Sequence, residues 1–228
     1  NIIPIEPRGK ARYQSLDLSA RSFKLCANGS EHSSCNWLLP AEDENALCFG
    51  CRFNRTIPDQ KIIDVSPPIN HQRWCRLEAA KKRLLYTLLE LKIPLSNGWS
   101  DSKNGLLFDF LENIEAGTNA VSEKVVTGYA DGIITIDILE ADDIARVSAR
   151  SALNERQRTI LGHFRHESGH FFWDKLFKEM ELGSEFEQLF GNPDKNYQES
   201  LNQYYEDGPP SNWSHYFITA YASAHPLE

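Results

Sequence analysis

Long apolar runs, positive charge and methionine are all scarce in this sequence of 228 residues. No run reaches the roughly 18 apolar residues that a membrane-spanning helix needs, so we expect no membrane contact. Lysine and arginine total 24 against 32 acidic residues, and the net charge of -8 argues against nucleic acid as the main partner. The first residues lack the features of a signal peptide, which favours a cytoplasmic protein. They also lack an initial methionine, so we expect a fragment or a processed form.

Cysteine is absent after residue 75, and four of the five cysteines fall between residues 26 and 51. An odd number of cysteines without a secretion signal favours reduced thiols and metal binding over a disulfide framework. Cys48 and Cys51 form a CxxC knuckle, in which one tight turn presents two thiolates to a metal ion. Cys26 and Cys35 would complete a four-cysteine zinc ribbon. His32 could replace one cysteine, and four unligated thiols are the alternative.

The cysteine-rich segment is predicted to be a zinc-ribbon-like module of residues 1–64. A segment this small, with so few core residues, needs a metal ion in order to fold, so we expect its zinc ion to be structural. Up to residue 64 eight basic residues balance eight acidic ones, which disfavours nucleic acid and leaves a protein partner open.

Residues 166–170 read His-Glu-Ser-Gly-His, an HExxH sequence in a segment rich in phenylalanine. On a helix, His166 and His170 project from one face, close enough to bind one metal ion. Glu167 lies beside that face and could take a proton from a zinc-bound water, as in zinc hydrolases. A chance occurrence is the alternative. However, Phe164 and Phe171 predict a buried helix, where the two imidazoles and the carboxylate would be costly without a metal ion.

A catalytic zinc ion needs a third protein ligand and an open position for water. Metzincins place a histidine where this chain has Leu176, which excludes that class. Tyr221 could stabilise an oxyanion beside the zinc ion, and core packing is the alternative for that side chain. Among the other residues that could supply the third ligand or support the site are His225, His215, Asp174, Glu199 and Glu206.

The remaining segments predict an α+β fold that is mostly helical with a small β-sheet. Residues 132–139 are rich in β-branched side chains and predict a strand. We expect this strand at the rim of a zincin-like cleft, where free backbone groups bind an extended substrate; an ordinary strand buried on both faces is the alternative. Helices are predicted over residues 70–92, 140–153, 154–182, 194–205 and 213–222, with Asn154 or a neighbour as a cap and Gly183 as a stop.

Six segments stand out as motifs: residues 35–37, 47–51, 55–59, 161–174 (LGHFRHESGHFFWD), 189–191 and 220–226 (AYASAHP). Together they resemble a bacterial family of zinc-binding metallopeptidases with an N-terminal zinc ribbon. The resemblance implies a zincin-like, gluzincin-like peptidase domain behind a cysteine-rich module. It also implies that Glu228 is the third zinc ligand, and that the natural chain continues into an acidic helix.

From these observations we predict a zinc-dependent peptidase with one structural and one catalytic zinc ion. The ligands would be Cys26, Cys35, Cys48 and Cys51 in residues 1–64, and His166, His170 and Glu228 in a metallopeptidase domain of residues 65–228. Glu167 and Tyr221 would be the catalytic residues, acting on a peptide or protein substrate. The alternatives are a zinc hydrolase that cleaves a non-peptide amide, and a non-catalytic zinc protein whose ribbon binds a protein or nucleic-acid partner.

Overall fold

The computed structural model describes residues 2–4, 12–16, 21–59, 69–112, 125–143, 159–177 and 183–228. The chain forms two compact units, Asn1–Arg146 and Val147–Glu228. The described residues contain five α-helices and two four-stranded sheets, which confirms the predicted α+β class. None of the described helices has the length and apolar character that crossing a membrane requires. The predicted division between residues 64 and 65 stays a prediction.

The first sheet carries the cysteine-rich segment on an antiparallel ladder. Its strands follow one another in space as in sequence, and each pairs with the next. Cys26 directly follows β3 and Cys35 lies shortly before β4, and the segment between these strands contains a one-turn helix, α1 (Ala27–Ser30). The strands are β1 (Ile2–Pro4), β2 (Arg12–Ser15), β3 (Ser22–Leu25) and β4 (Leu38–Pro40).

The second sheet is mixed and has the strand order β5-β6-β8-β7. Strands β5 and β8 run parallel to β6, and β7 is antiparallel to β8. The hairpin between β7 and β8 turns at Asp131 and Gly132, whose φ angles of 49° and 82° are typical of a two-residue turn with a left-handed backbone. The strands are β5 (Asn54–Thr56), β6 (Leu107–Leu111), β7 (Gly128–Ala130) and β8 (Ile133–Asp137).

The prediction that residues 132–139 form the free rim of a cleft is wrong. Strand β8 pairs with β6 along its whole length and with β7 over Ile133–Thr135, so it lies inside the sheet. Ile134 and Ile136 are buried, as expected for an internal strand. After Asp137 the chain enters a 3-10 turn, Ile138–Ala141, where the sequence predicted further strand and then helix. Most of the predicted helix over residues 140–153 lies outside the described residues.

The long helix α2 (Ile69–Glu90) confirms the prediction for residues 70–92. Its apolar face carries Trp74, Leu77 and Leu85, all fully buried. The ammonium group of Lys81 lies 5.7 Å from the Phe108 ring centroid, so this face of the helix packs on β6. Burial of this apolar stripe stabilises the helix far more than local propensity does.

A buried carboxylate on α2 links the cysteine-rich segment to the second sheet. Glu78 is fully buried and pairs with Lys81, whose Nζ lies 2.8 Å from Glu78 Oε1. The same oxygen accepts hydrogen bonds from Asn54 on β5 (2.7 Å) and Trp74 (3.3 Å), while Oε2 lies 4.0 Å from Cys51 Sγ. Glu78 therefore connects the cysteine-rich segment, helix α2 and strand β5 through one buried carboxylate.

Glu78→Ala should destabilise the first unit by about 3–5 kcal/mol, because it leaves the buried charge of Lys81 unpaired. Chemical denaturation in excess zinc measures this loss. Glu90→Ala, at the exposed end of the same helix, is the matched control and should stay within ~0.5 kcal/mol of the unmodified chain. Equal stability of the two variants would show that Glu78 does not hold this unit together.

The described residues of the second unit form helices and short turns. Thr159 caps the HExxH helix by accepting a hydrogen bond from Gly162 N (2.9 Å), so the helix starts later than the predicted Asn154. Gly183 begins a helix that the sequence did not predict, rather than ending one. Residues 213–222 contain two 3-10 turns, Trp213–His215 and Tyr221–Ser223, instead of the predicted helix. The helices are α3 (Ile160–Phe172, continued by a π-helical turn, Trp173–Phe177), α4 (Gly183–Phe190) and α5 (Tyr197–Asp207).

Candidate metal centres

Four buried cysteines converge in the first unit. The Sγ atoms of Cys26, Cys35, Cys48 and Cys51 all lie within 4.8 Å of one another. The separation between Cys35 Sγ and Cys48 Sγ is 3.7 Å. Tetrahedral zinc with Zn–S bonds of ~2.3 Å places its sulfurs about 3.8 Å apart, so these positions fit zinc. His32, the predicted substitute ligand, is not in this cluster; its ring packs against that of Trp74 in an edge-on arrangement, with the two centroids 5.8 Å apart.

The protonation of this cysteine cluster also favours a bound cation. Hydrogen bonds from its neighbours, first of all Cys26, lower the pKa of Cys35 far below its ordinary value. The same crowding raises the pKa of Cys48 and Cys51, because their thiols donate to the other two sulfurs. Without a cation the cluster therefore keeps protons on some of its sulfurs, because four thiolates this close would repel one another, whereas a divalent metal ion would stabilise all four as thiolates.

Backbone amides complete the surroundings of the sulfurs. Trp37 N donates to Cys35 Sγ at 3.4 Å, and Cys48 N donates to Cys26 Sγ at 3.3 Å. The tight turn at Cys48 brings Cys51 N to 3.1 Å from the Cys48 carbonyl oxygen, which sets both thiols of the CxxC pair on one side. These amides stabilise negative charge on sulfur, as the outer contacts of a metal site do.

The second unit brings together His166, His170 and Glu228. The Nε2 atoms of the two histidines are 3.2 Å apart, and Glu228 Oε2 lies 3.0 Å from His166 Nε2. Zinc bonds of about 2.0–2.2 Å to nitrogen and oxygen place such donor atoms roughly 3.3 Å apart. The residues therefore fit a zinc ion, and the His166 side chain is 31% exposed, which keeps the cluster open to solvent.

The ionisation states of these residues suit a cation. Burial, and then the neighbouring His166, lower the pKa of His170, so its imidazole stays neutral. Burial alone would raise the pKa of Glu228, but contacts with His166 and Tyr197 outweigh it and lower the pKa. Glu228 Oε2 is buried and lies 3.0 Å from His166 Nε2, so it has no hydrogen-bond donor among the described residues when that nitrogen carries no proton. A buried oxygen without a hydrogen bond is costly, and a metal ion held by the two neutral imidazoles would satisfy it.

The two predicted catalytic residues differ in their surroundings. Glu167 lies on α3 between the histidines and is 8% exposed. The Tyr221 ring centroid is 6.2 Å from that of His166, and Tyr221 also contacts the ring of Tyr204. Burial and the charge of Glu228 raise the pKa of Tyr221, so its phenol stays protonated and can donate a hydrogen bond.

The other candidate ligands lie outside this cluster. His225 is buried, but Nδ1 accepts a hydrogen bond from Leu227 N (3.2 Å) and Nε2 lies 3.1 Å from the Lys195 carbonyl oxygen. Both ring nitrogens are therefore engaged, and neither can bind metal. His215, Glu199 and Glu206 are exposed. The negative charge of Asp174 acts against the lowering of the His170 pKa by burial, so Asp174 lies close enough to His170 to support this ligand.

The sequence did not predict that Tyr197 belongs to this site. Tyr197, the first residue of α5, donates a hydrogen bond from its hydroxyl to Glu228 Oε1. Partial burial of this side chain, which is 41% exposed, and then this contact raise the pKa of Tyr197, so the hydroxyl keeps its proton. Thirty-one residues separate the two partners, and no short spacing pattern marks them.

Comparison with known proteins identifies related families. Residues 70–228 match the family described as "Putative zinc-binding metallo-peptidase", and residues 1–62 match a zinc-ribbon domain. Relatives include an uncharacterized protein of Mycobacterium bovis and uncharacterized proteins from two strains of Mycobacterium tuberculosis, each 36% identical over 207 residues. Those residues cover 90% of this chain and 57% of each relative, so the chain spans just over half of their length. No solved structure matches the chain.

Proposed function

The chain belongs to the zinc-binding metallo-peptidase family, and on this premise we propose that it hydrolyses peptide bonds at the cluster of His166, His170 and Glu228. The observation that carries the proposal is the convergence of three donor atoms, one of them a buried carboxylate oxygen without a hydrogen bond. The zincin-like arrangement, with two ligands from one helix and a third from a later segment, is part of this proposal. The four-cysteine cluster would hold the structural zinc ion.

In this mechanism His166 Nε2, His170 Nε2 and Glu228 Oε2 would hold the catalytic ion. A zinc ion there would supply Lewis-acid polarisation of the scissile carbonyl and would lower the pKa of the attacking water to about 7. Glu167 accepts a proton from the attacking water at its carboxylate and then delivers it to the leaving amine nitrogen. The neutral imidazoles leave their lone pairs for the ion, as the lowered pKa of His170 favours.

Tyr221 would act by donating a hydrogen bond to the oxygen that becomes negative during attack. We expect Tyr221→Phe to lower kcat about 10²-fold with little change in KM, because this hydrogen bond forms mainly in the transition state. Steady-state kinetics on a cleaved peptide tests this. Tyr216→Phe is the matched control, since this tyrosine is 75% exposed. If Tyr221→Phe left kcat unchanged, Tyr221 would contribute to packing and not to the reaction.

The direct test of the function uses a mixed pool of unrelated peptides. The zinc-loaded chain, the chelated chain and His170→Ala are incubated with the pool, and new termini are identified by mass spectrometry. We expect new termini only with the zinc-loaded, unmodified chain. Equal cleavage by His170→Ala would contradict the proposal, as would the absence of cleavage by the zinc-loaded chain across the pool.

A further inference from the structure

The Glu228 carboxylate has two oxygens in different environments. Oε1 accepts the hydrogen bond from the Tyr197 hydroxyl. Oε2 accepts none from the described residues and lies 3.0 Å from His166 Nε2. Because the carboxylate is planar, holding Oε1 on one side fixes the direction of Oε2. The tyrosine therefore sets which oxygen faces the two histidines.

The position of Tyr197 is itself fixed by local structure. It begins α5, where the side chain of Asn196 caps the helix by accepting a hydrogen bond from Glu199 N (3.1 Å). The Tyr197 ring packs edge-on against the ring of His225, with centroids 5.1 Å apart. Helix capping restricts the backbone at this position, and the ring contact restricts the side chain.

His225 connects the tyrosine to the segment that carries Glu228. Its Nε2 lies 3.1 Å from the Lys195 carbonyl oxygen, two residues before Tyr197. Its own carbonyl oxygen accepts a hydrogen bond from Glu228 N at 2.9 Å, and its Nδ1 accepts one from Leu227 N. His225 thus holds the start of α5 through its imidazole and the backbone of Glu228 through its carbonyl oxygen.

We propose that Tyr197 is a positioning residue that holds Glu228 so that only Oε2 binds the metal ion, with His225 fixing both partners. This inference rests on the proposed zinc site of His166, His170 and Glu228. A side chain that hydrogen-bonds a metal ligand on the side away from the ion orients that ligand and reduces the conformational entropy lost when the ion binds. Removal of such a side chain costs about 10–100-fold in metal affinity. The alternative is a hydrogen bond that only stabilises the segment around Glu228.

The experiment measures binding of the second zinc ion to the full chain, by titration against a chelating zinc indicator. We expect Tyr197→Phe to weaken this zinc by about 10–100-fold while the zinc ion of the cysteine cluster stays bound. Tyr216→Phe, which removes an exposed tyrosine hydroxyl from the same unit, should bind zinc like the unmodified chain. Thermal unfolding without the second zinc ion should give the same midpoint for all three proteins.

A double-mutant cycle separates positioning from general stabilisation. Glu228→Ala should weaken the second zinc ion more than Tyr197→Phe does, and adding Tyr197→Phe to Glu228→Ala should then have no further effect. An equal loss from Tyr197→Phe in both backgrounds would overturn the positioning role, as would unchanged affinity in the single variant. If Glu228→Ala itself binds the second zinc ion normally, the proposed zinc site fails, and the role of Tyr197 fails with it.

Discussion

Glu167→Gln is expected to retain both zinc ions and to lose peptide hydrolysis by roughly 10²–10⁴-fold. Glutamine keeps the size and polarity of the side chain, so helix α3 and the two histidines keep their places. It cannot accept a proton from water near neutral pH, so the attacking water loses its base. Elemental analysis gives the zinc content, and the initial rate on a peptide that the unmodified chain cleaves gives the activity.

The matched control for this variant is Glu187→Gln, which makes the same chemical change at an exposed position of α4. It should cleave the peptide at the rate of the unmodified chain. Cleavage by Glu167→Gln at the unmodified rate would rule out Glu167 as the general base. Loss of the second zinc ion from Glu167→Gln would instead indicate that Glu167 holds the metal site together.

The second large effect is expected at the cysteine cluster. Cys48→Ser combined with Cys51→Ser should remove one zinc ion and unfold the cysteine-rich segment. Zinc binding contributes apparent free energies of about 10–16 kcal/mol in small zinc domains, which is as large as the whole stability of a typical domain. Hydrogen exchange, followed along the sequence, should show loss of protection in β3 and β4.

Cys75→Ser is the natural control for the double variant, because Cys75 is the one cysteine outside the cluster. It should retain both zinc ions and the protection of β3 and β4. If the double cysteine variant kept its zinc content and its protection pattern, the four-cysteine cluster would not be a structural metal site.

The sequence predicted those parts of the two sites that depend on short spacing. One tight turn between Cys48 and Cys51, and one helical turn between His166 and His170, fix each pair of side chains locally. The structure brings each of these pairs together with the remaining proposed ligands. Glu228 became a candidate only through family resemblance, because no local spacing ties it to α3.

Features that depend on tertiary packing could not be predicted. The rim position assigned to residues 132–139 was wrong because strand composition does not reveal which neighbours a strand will pair with. A signal was available in Asp131-Gly132, which is typical of a two-residue hairpin and predicts a partner on one side of β8. The bond between Tyr197 and Glu228 had no comparable signal, since the partners come from separate segments.

The burial of Lys81 beside Glu78 is another feature that the sequence did not reveal. Periodicity predicted α2, but it gives no sign that Lys81, the first of three consecutive basic residues, is buried. In the structure the Lys81 side chain is fully buried, because Glu78 neutralises it and Asn54 accepts a hydrogen bond from its ammonium group. A helical pattern gives the direction of a side chain and its neighbours one turn away, such as Glu78, while partners such as Asn54 come from other elements.

The central claim is that this chain holds two zinc ions, one of them at His166, His170 and Glu228. The most direct measurement is zinc per chain by elemental analysis of the unmodified protein beside His170→Ala and Glu228→Ala. We expect about two zinc ions in the unmodified chain and about one in each variant. A single zinc ion that neither substitution removes would contradict this expectation, because the metal would then belong to the cysteine cluster alone.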